Sequence, residues 1–312
     1  MSLFGKMYPW SKWRKHEALW EHTELRPHLP ETAKLSHGQL LVFLDKYRVV
    51  YVKPCYGGGG RGIIKLTRDE DWVQVQTLTD KKTIAIDCLY AYLAQIIGKK
   101  SYVIQQGIDL LDIQDRKIDF RVLLLKPRTK WVFMGSMGKL GVKGQVVTNH
   151  CRGGKSIIVH NAIQESTDWQ GEQIDELEQT LHRLGHQIAQ VLERRFPLIS
   201  ELGLDMGIDR EGNVWLIEAN TRPHYNLFKH HKDPALYNKI RGTIRRLRSV
   251  RPGFPKKTVQ TRSQSHGNDA KFPKNRRNGL FIPHPRSRTK TAPPGRLNAR
   301  TTADECRLRS RA

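Results

Sequence analysis

Cysteine is scarce in this chain of 312 residues. The four present, Cys55, Cys88, Cys151 and Cys306, stand far apart, and none belongs to a CxxC or CxxxC pair. That spacing argues against a zinc site and a disulfide framework, and fits a reducing compartment. Long apolar runs are missing too. No stretch approaches the ~18 apolar residues that a transmembrane helix needs. The opening MSLFGKMYPWSKWRKH also lacks the continuous apolar region of a signal peptide. Acidic residues are few, 30 Asp and Glu against 54 Lys and Arg, which leaves a net charge of +24.

The basic excess is uneven. Residues 251–312 hold 16 Lys and Arg, 3 Asp and Glu, 7 of the 15 prolines and no periodic apolar pattern. Such a tail is expected to be disordered. Basic tails often touch nucleic acid or anionic surfaces, but the Arg/Pro/Ser/Thr content resembles rather a frameshifted or read-through extension. Either origin sends the search for function to the body of the chain.

The body alternates short periodic segments with turn chemistry. Apolar spacing predicts helices over 37–47, 85–98, 170–195 and 233–250. Alternation predicts strands over 48–54, 63–68, 72–78, 101–106, 118–126 and 130–140, with a further strand running into a loop over 146–154. Helices segregated from mostly antiparallel strands imply an α+β fold. The aromatic, basic YPWSKWRKHEALWEH reads as a helix that packs its tryptophans on its own domain. His224, His230 and His231 read as solvated surface rather than ligands.

ELGLDMGIDREGNVWLIEANTRP, residues 201–223, poses the sharpest chemical question. It reads as a hairpin in which each strand carries a carboxylate among apolar residues. With Glu211-Gly212 as the loop, Arg210 faces Asn213 and Asp205 lies opposite Glu218. One face then carries Leu202, Leu204, Met206 and Ile208 with Trp215, Ile217 and Ala219, and the other carries Asp205, Glu218 and Asn220. Opposed like charges ~5 Å apart destabilise a strand pair. A hard divalent cation with oxygen ligands resolves the repulsion.

KPCYGGGGRG is the second informative stretch. Gly57, Gly59 and Gly62 match G-x-G-x-x-G, but a β-branched IIKL follows instead of the helix a dinucleotide fingerprint requires. No GK[ST] closes it as a P-loop. A glycine loop between two strands can lie over phosphates with its backbone N–H groups, and Lys53 at the preceding strand end can set a point charge on phosphate.

Taken together, LRPHLPET, YVKPCYGGGGRGI, QQGIDL, DFRVLLLK and GLDMGIDREGNVWLIEANTRP resemble the ATP-grasp superfamily, in particular its YheC/YheD type of endospore coat-associated proteins, over about residues 30–250. The resemblance implies two α+β lobes with ATP between them, 30–106 and 107–250, after an N-terminal segment 1–29 and without most of the usual preceding domain. It implies ATP contacts from Lys53, from Gly57, Gly58, Gly59, Gly60, Arg61 and Gly62, from Gln105, Gln106 and Ile108 at the hinge, and from Lys139. It implies Mg²⁺, or Mn²⁺ in its place, on Asp205, Glu218 and Asn220. Arg121, Arg152 and Arg222 are implied as the arginines of the reacting centre. The implied activity is ATP-dependent ligation, in which a carboxylate becomes an acyl-phosphate that an amine or thiol attacks. The alternative is a non-catalytic, coat-associated nucleotide-binding protein. Expected partners are ATP, a carboxylate substrate and spore coat proteins, and the expected location is cytoplasmic with coat association. Nucleic acid is expected only through the tail.

Overall fold

The computed structural model describes residues 10–146 and 153–249. Two antiparallel sheets organise them. The first runs in the order β1-β6-β2-β3-β4-β5, from β1 (Thr32–Lys34), β2 (Val49–Pro54), β3 (Ile64–Asp69), β4 (Trp72–Gln76), β5 (Lys81–Ala85) and β6 (Tyr102–Gln106). The second is built from β7 (Asp112–Ile113), β8 (Arg116–Leu125), β9 (Val132–Leu140), β10 (Lys155–Ile157), β11 (Glu201–Ile208) and β12 (Val214–Asn220). Its order is β10-β9-β8-β11-β12, with β7 paired on β8. The helices are α1 (Lys12–Trp20), α2 (His37–Lys46), α3 (Ile86–Ile97), α4 (Val159–Ser166), α5 (Gly171–Arg195) and α6 (Pro234–Ser249).

Local chemistry sets the helix ends. Ser36 caps α2, its Oγ accepting from Gln39 N at 3.2 Å. Gly98 ends α3 at φ +57, a region in which a Cβ is disfavoured. α5 buries Ile174, Leu181, Leu184, Ile188 and Leu192 along one stripe.

α2 and α3 cover the first sheet, with Phe43, Leu44, Leu89 and Leu93 packed among Val50, Val52, Ile64 and Leu66. The second sheet has helices on both faces. α5 covers the face of Phe120, Val122, Leu124, Leu202, Leu204 and Met206. On the other face, α6 and a 3₁₀ turn (Asn226–His230) cover Leu123, Leu125, Met134 and Met137. That cover is partial. The period of two along β8 puts Arg121 and Asp119 on the same face as Leu123. Their neighbours Asp205 and Lys139 share it through the pairings Asp205↔Arg121 and Asp119↔Lys139. The uncovered end of this face is therefore polar and charged.

α1 belongs to the second sheet's core, where Ala18 and Leu19 are buried together with Leu25 and Leu29. Trp13 is half-buried, and Trp20, though exposed, stacks beside His16 with Arg26 over its ring, so the expectation that this segment packs its tryptophans on its own domain holds in part; Trp10, ahead of the helix, is exposed. The chain then crosses to β1 in the first sheet and returns after β6 to Leu111 in the second core. The two crossings touch: Gln106 N donates to Glu31 O at 2.9 Å and Glu31 N to Gln106 Oε1 at 3.1 Å.

Five elements escape the periodicity reading: the short β1 and β7, β5, which opens on Lys81-Lys82 after a turn, and β10 and α4. The VVTNHC part of the strand expected at 146–154 falls, beyond Val146, outside the described residues. Cys55 is a free, buried thiol, and Cys88 is buried in the first turn of α3.

Candidate functional site

The hairpin of β11 and β12 pairs Asp205 with Glu218, as the spacing suggests, but by a different route. The loop is Arg210-Glu211-Gly212, closed by Asp209 N donating to Asn213 O at 3.1 Å, so Arg210 does not face Asn213. Asp209 fixes that turn, accepting from Asn213 N at 2.8 Å and from Trp215 Nε1 at 2.7 Å. The longer loop shifts the register by one, pairing Met206 with Leu216, and an irregularity at Ile217 shifts it back. The core face consequently takes Val214, Leu216 and Ala219, and not Trp215 and Ile217 as alternation alone requires. Two register changes cancel, and the carboxylates meet.

Asp205 lies in a buried charge cluster. Arg121 grips it bidentately, Nε to Oδ1 at 2.7 Å and Nη2 to Oδ2 at 3.2 Å. Lys139 Nζ sits 2.9 Å from Asp205 Oδ1 and 2.5 Å from Asp119 Oδ1. Asn220 Nδ2 donates to Asp205 Oδ2 at 3.2 Å. Burial alone raises the Asp205 carboxyl, but Arg121 and Lys139 outweigh it and hold the group down at about 2. Asp119 pairs with Lys139, but burial outweighs that cation and pushes the carboxyl up to about 6. The four groups sum to zero formal charge, which makes their burial tolerable. Glu218 is more open, with 23% of its side chain exposed.

The opposite wall comes from the first sheet, and α1, packed on the second sheet, reaches across to it. Lys53 on β2 is buried and donates to Gln105 Oε1. Burial pushes its ammonium down to about 8, with Glu218 opposing and Lys12 reinforcing the shift. The glycine loop leaves β2 with Gly57, Gly59, Gly60 and Gly62 at positive φ. At Gly62 a Cβ would lie 2.9 Å from the Tyr102 hydroxyl oxygen. Lys12, the first residue of α1, bridges the walls: Nζ donates to Gly57 O at 2.9 Å and pairs with Glu218 Oε1 at 3.1 Å. Lys15, one turn on, donates to Ala219 O, and burial pushes it down to about 8 as well.

Lys53, Gln105 and Glu218 thus line one pocket together with Lys12 and Lys15, and Arg121, Lys139, Asp205 and Asn220 form a cluster that adjoins it through the pairing of Asp205 with Glu218. The glutamine side chains are already engaged, Gln105 with Lys53 and Thr32 and Gln106 with Glu31 N. Ile108 is half-buried just beyond the crossing, and Arg61 and Arg222 are exposed. Arg152 lies outside the described residues, as do Asn149 and Cys151. The sequence reading missed Lys12, Lys15 and Asp119. A signal existed: Lys12, Lys15 and Leu19 fall at i, i+3 and i+7, so two lysines share an apolar stripe. Among the described residues no three His, Cys, Asp or Glu side chains cluster as a metal cage, and no helix is long and apolar enough to cross a membrane.

Comparison with known proteins decides the family. A family model described as "YheC/D like ATP-grasp" matches residues 2–246. The chain belongs to the YheC/D-like ATP-grasp family. Among curated relatives of this YheC/D-like chain, endospore coat-associated protein YheD of Bacillus subtilis is 31% identical over 237 residues, covering 73% of this chain and 51% of the relative. Endospore coat-associated protein YheC of the same organism is 26% identical over 218 residues, covering 68% and 59%. The chain therefore spans a little over half the length of the curated relatives it matches. Among solved structures, D-alanyl-alanine synthetase A from Vibrio cholerae aligns with a TM-score of 0.48 and 12% identity, covering 77% of this chain and 65% of that one.

Proposed function

We propose that this YheC/D-like protein is an ATP- and Mg²⁺-dependent ligase that activates a carboxylate as an acyl-phosphate for attack by an amine or thiol. The observation that carries the reading is the pairing of Asp205 with Glu218 across a hairpin, facing a buried lysine and a glycine loop. Asp205, Glu218 and the Asn220 carboxamide are hard oxygen donors, too few to cage an ion alone, and suit a Mg²⁺ that shares its remaining positions with phosphates. The ion, when bound, neutralises charge on the phosphates. Mn²⁺ would take the same oxygens.

The remaining work belongs to the chain. Lys53 and Lys12 supply cations to the phosphates, and the loop from Gly57 to Gly62, with Arg61, lies over them. Gln105, Gln106 and Ile108 border the base. Arg121 and Lys139 hold Asp205 ionised and can turn a guanidinium and an ammonium towards the transferred phosphoryl oxygens. Arg222 receives the substrate carboxyl, and Arg152 is assigned to the same centre. The chemistry asks for positioning and charge compensation and needs no protein nucleophile. A second reading, a coat-associated nucleotide-binding protein without turnover, draws support from the names of the two Bacillus relatives.

Calorimetry of ATP binding with and without Mg²⁺ tests the proposal on the parent and on Asp205→Asn/Glu218→Gln. Metal-dependent binding in the parent, lost in the variant, is expected. No binding by the parent removes the ligase reading. Binding without ADP release across a screen of carboxylates and amines leaves the second.

A further inference from the structure

We propose that an arginine ridge on α6 docks a carboxylate-rich polypeptide and delivers one of its carboxyl groups to the site. This rests on the ligase reading and adds the class of substrate. From Arg222 to Ser249 the chain carries eight Lys and Arg and a single acid, Asp233. Asp233 is occupied with its own helix start, Oδ1 accepting from Ala235 N at 2.8 Å.

The helix sorts these charges. Ile240, Thr243 and Ile244 face the sheet, flanked by half-buried Leu236 and Leu247. Arg241, Arg245 and Arg248 follow one another at i, i+4 and i+7, so they form a ridge along one flank. Arg248 fixes where that flank looks. Its guanidinium holds buried Glu201, Nη2 to Oε2 at 2.7 Å and Nε to Oε1 at 3.0 Å. It also reaches Pro223 O at 3.4 Å. Pro223 follows Arg222, and the next residue, His224, gives its carbonyl oxygen to Arg121 Nη1 at 3.0 Å. The ridge therefore ends against the loop that borders Asp205.

Arg241 and Arg245 are exposed and make no ion pair among the described residues. Some exposed cations elsewhere do find partners, among them Arg210 with Asp109 and Asp112, and Lys143 with Asp115. Between Arg222 and Ser249 the sequence offers only Asp233. Neighbouring ridge positions lie ~6 Å apart, and an extended polypeptide presents same-side groups every ~6.6 Å, so successive acidic side chains match successive arginines. Planar guanidinium forks also suit carboxylates bidentately. The tyrosines of this rim, Tyr225 and Tyr237, are engaged with each other at 6.0 Å, and Lys229 lies 5.6 Å over Tyr237. They do not form the open stacking platform that single-stranded nucleic acid uses.

Fluorescence anisotropy on the full chain tests this with labelled oligoglutamate and an oligothymidylate of equal charge. Arg241→Glu/Arg245→Glu should weaken oligoglutamate binding about tenfold or more, while Arg241→Lys/Arg245→Lys, which keeps the charge but not the fork, should fall between that variant and the parent. The basic tail is common to all three proteins, so the difference reports the ridge. Equal affinity in parent and charge-reversed protein overturns the inference, and so does a larger loss for oligothymidylate than for oligoglutamate. ATP binding with Mg²⁺, measured on the same proteins, separates the two levels. Nucleotide bound by all without a ridge effect sinks the ridge alone. Nucleotide bound by none sinks the ligase reading, whatever the ridge does.

Discussion

Replacing Asp205 by Asn should destabilise the protein heavily, and the buried cluster sets the size. Arg121 and Lys139 both direct their charge at this carboxylate, at 2.7 Å and 2.9 Å. Their side chains are 11% and 4% exposed. With Asp205 neutral, two cations share one remaining buried anion, Asp119. Breaking a buried pair in this way costs about 3–5 kcal/mol. At ~2–4 °C per kcal/mol for a domain of this size, the melting temperature should fall by roughly 10 °C. The assay is thermal denaturation followed by circular dichroism in metal-free buffer, so that lost ligand binding does not contribute. A second variant, Asp205→Asn/Lys139→Met, restores formal neutrality and should recover part of the loss, giving a favourable coupling in the double-mutant cycle. A single variant as stable as the parent would refute the reasoning, because it would mean that water already screens the cluster.

Glu218→Gln should behave differently: stability within about 1 kcal/mol, because its partner Lys12 is a partly exposed cation, yet loss of metal-dependent ATP binding by calorimetry. Lys53 gives a pH dependence. Its free ammonium deprotonates at about 8, and phosphate favours the charged form, so ATP affinity should fall about tenfold per pH unit above that value, with proton uptake on binding. Calorimetry in buffers of different ionisation enthalpy reads the uptake, and Lys53→Arg should abolish it at that position. Gly62→Ala meets both φ +76 and the Tyr102 hydroxyl oxygen at 2.9 Å, and should destabilise by about 1–3 kcal/mol in urea denaturation.

The sequence made the chemistry of the site more legible than its construction. The pairing of Asp205 with Glu218 followed from counting outwards along a hairpin, although the count contained two errors of opposite sign. A five-residue turn organised by Asp209 and an irregularity at Ile217 each move the register, and neither leaves a mark in the hydrophobic pattern. The long, strongly periodic α5 was readable because its stripe is unbroken. β5 was not, because Thr79-Asp80-Lys81-Lys82 has turn composition and only pairing with β4 makes a strand of it. Lys12 and Lys15 were hidden for another reason. The segment reads as a helix that packs on its own domain through its tryptophans, and only the fold reveals that its lysines reach Gly57, Glu218 and Ala219. Asp119 was visible in DFR, but its pairing with Lys139 depends on the alignment of β8 and β9.

The paired crossings at Glu31 and Gln106 have a mechanical consequence. A door hung on two pins set close together swings freely and resists twisting. The chain passes between the lobes twice, and hydrogen bonds lash the two passages side by side. A swing that opened the cleft near Gln106 would have to break the bridge from Lys12 to Gly57 and Glu218 and, farther out, the hydrogen bond from Gln76 to Gly144 O.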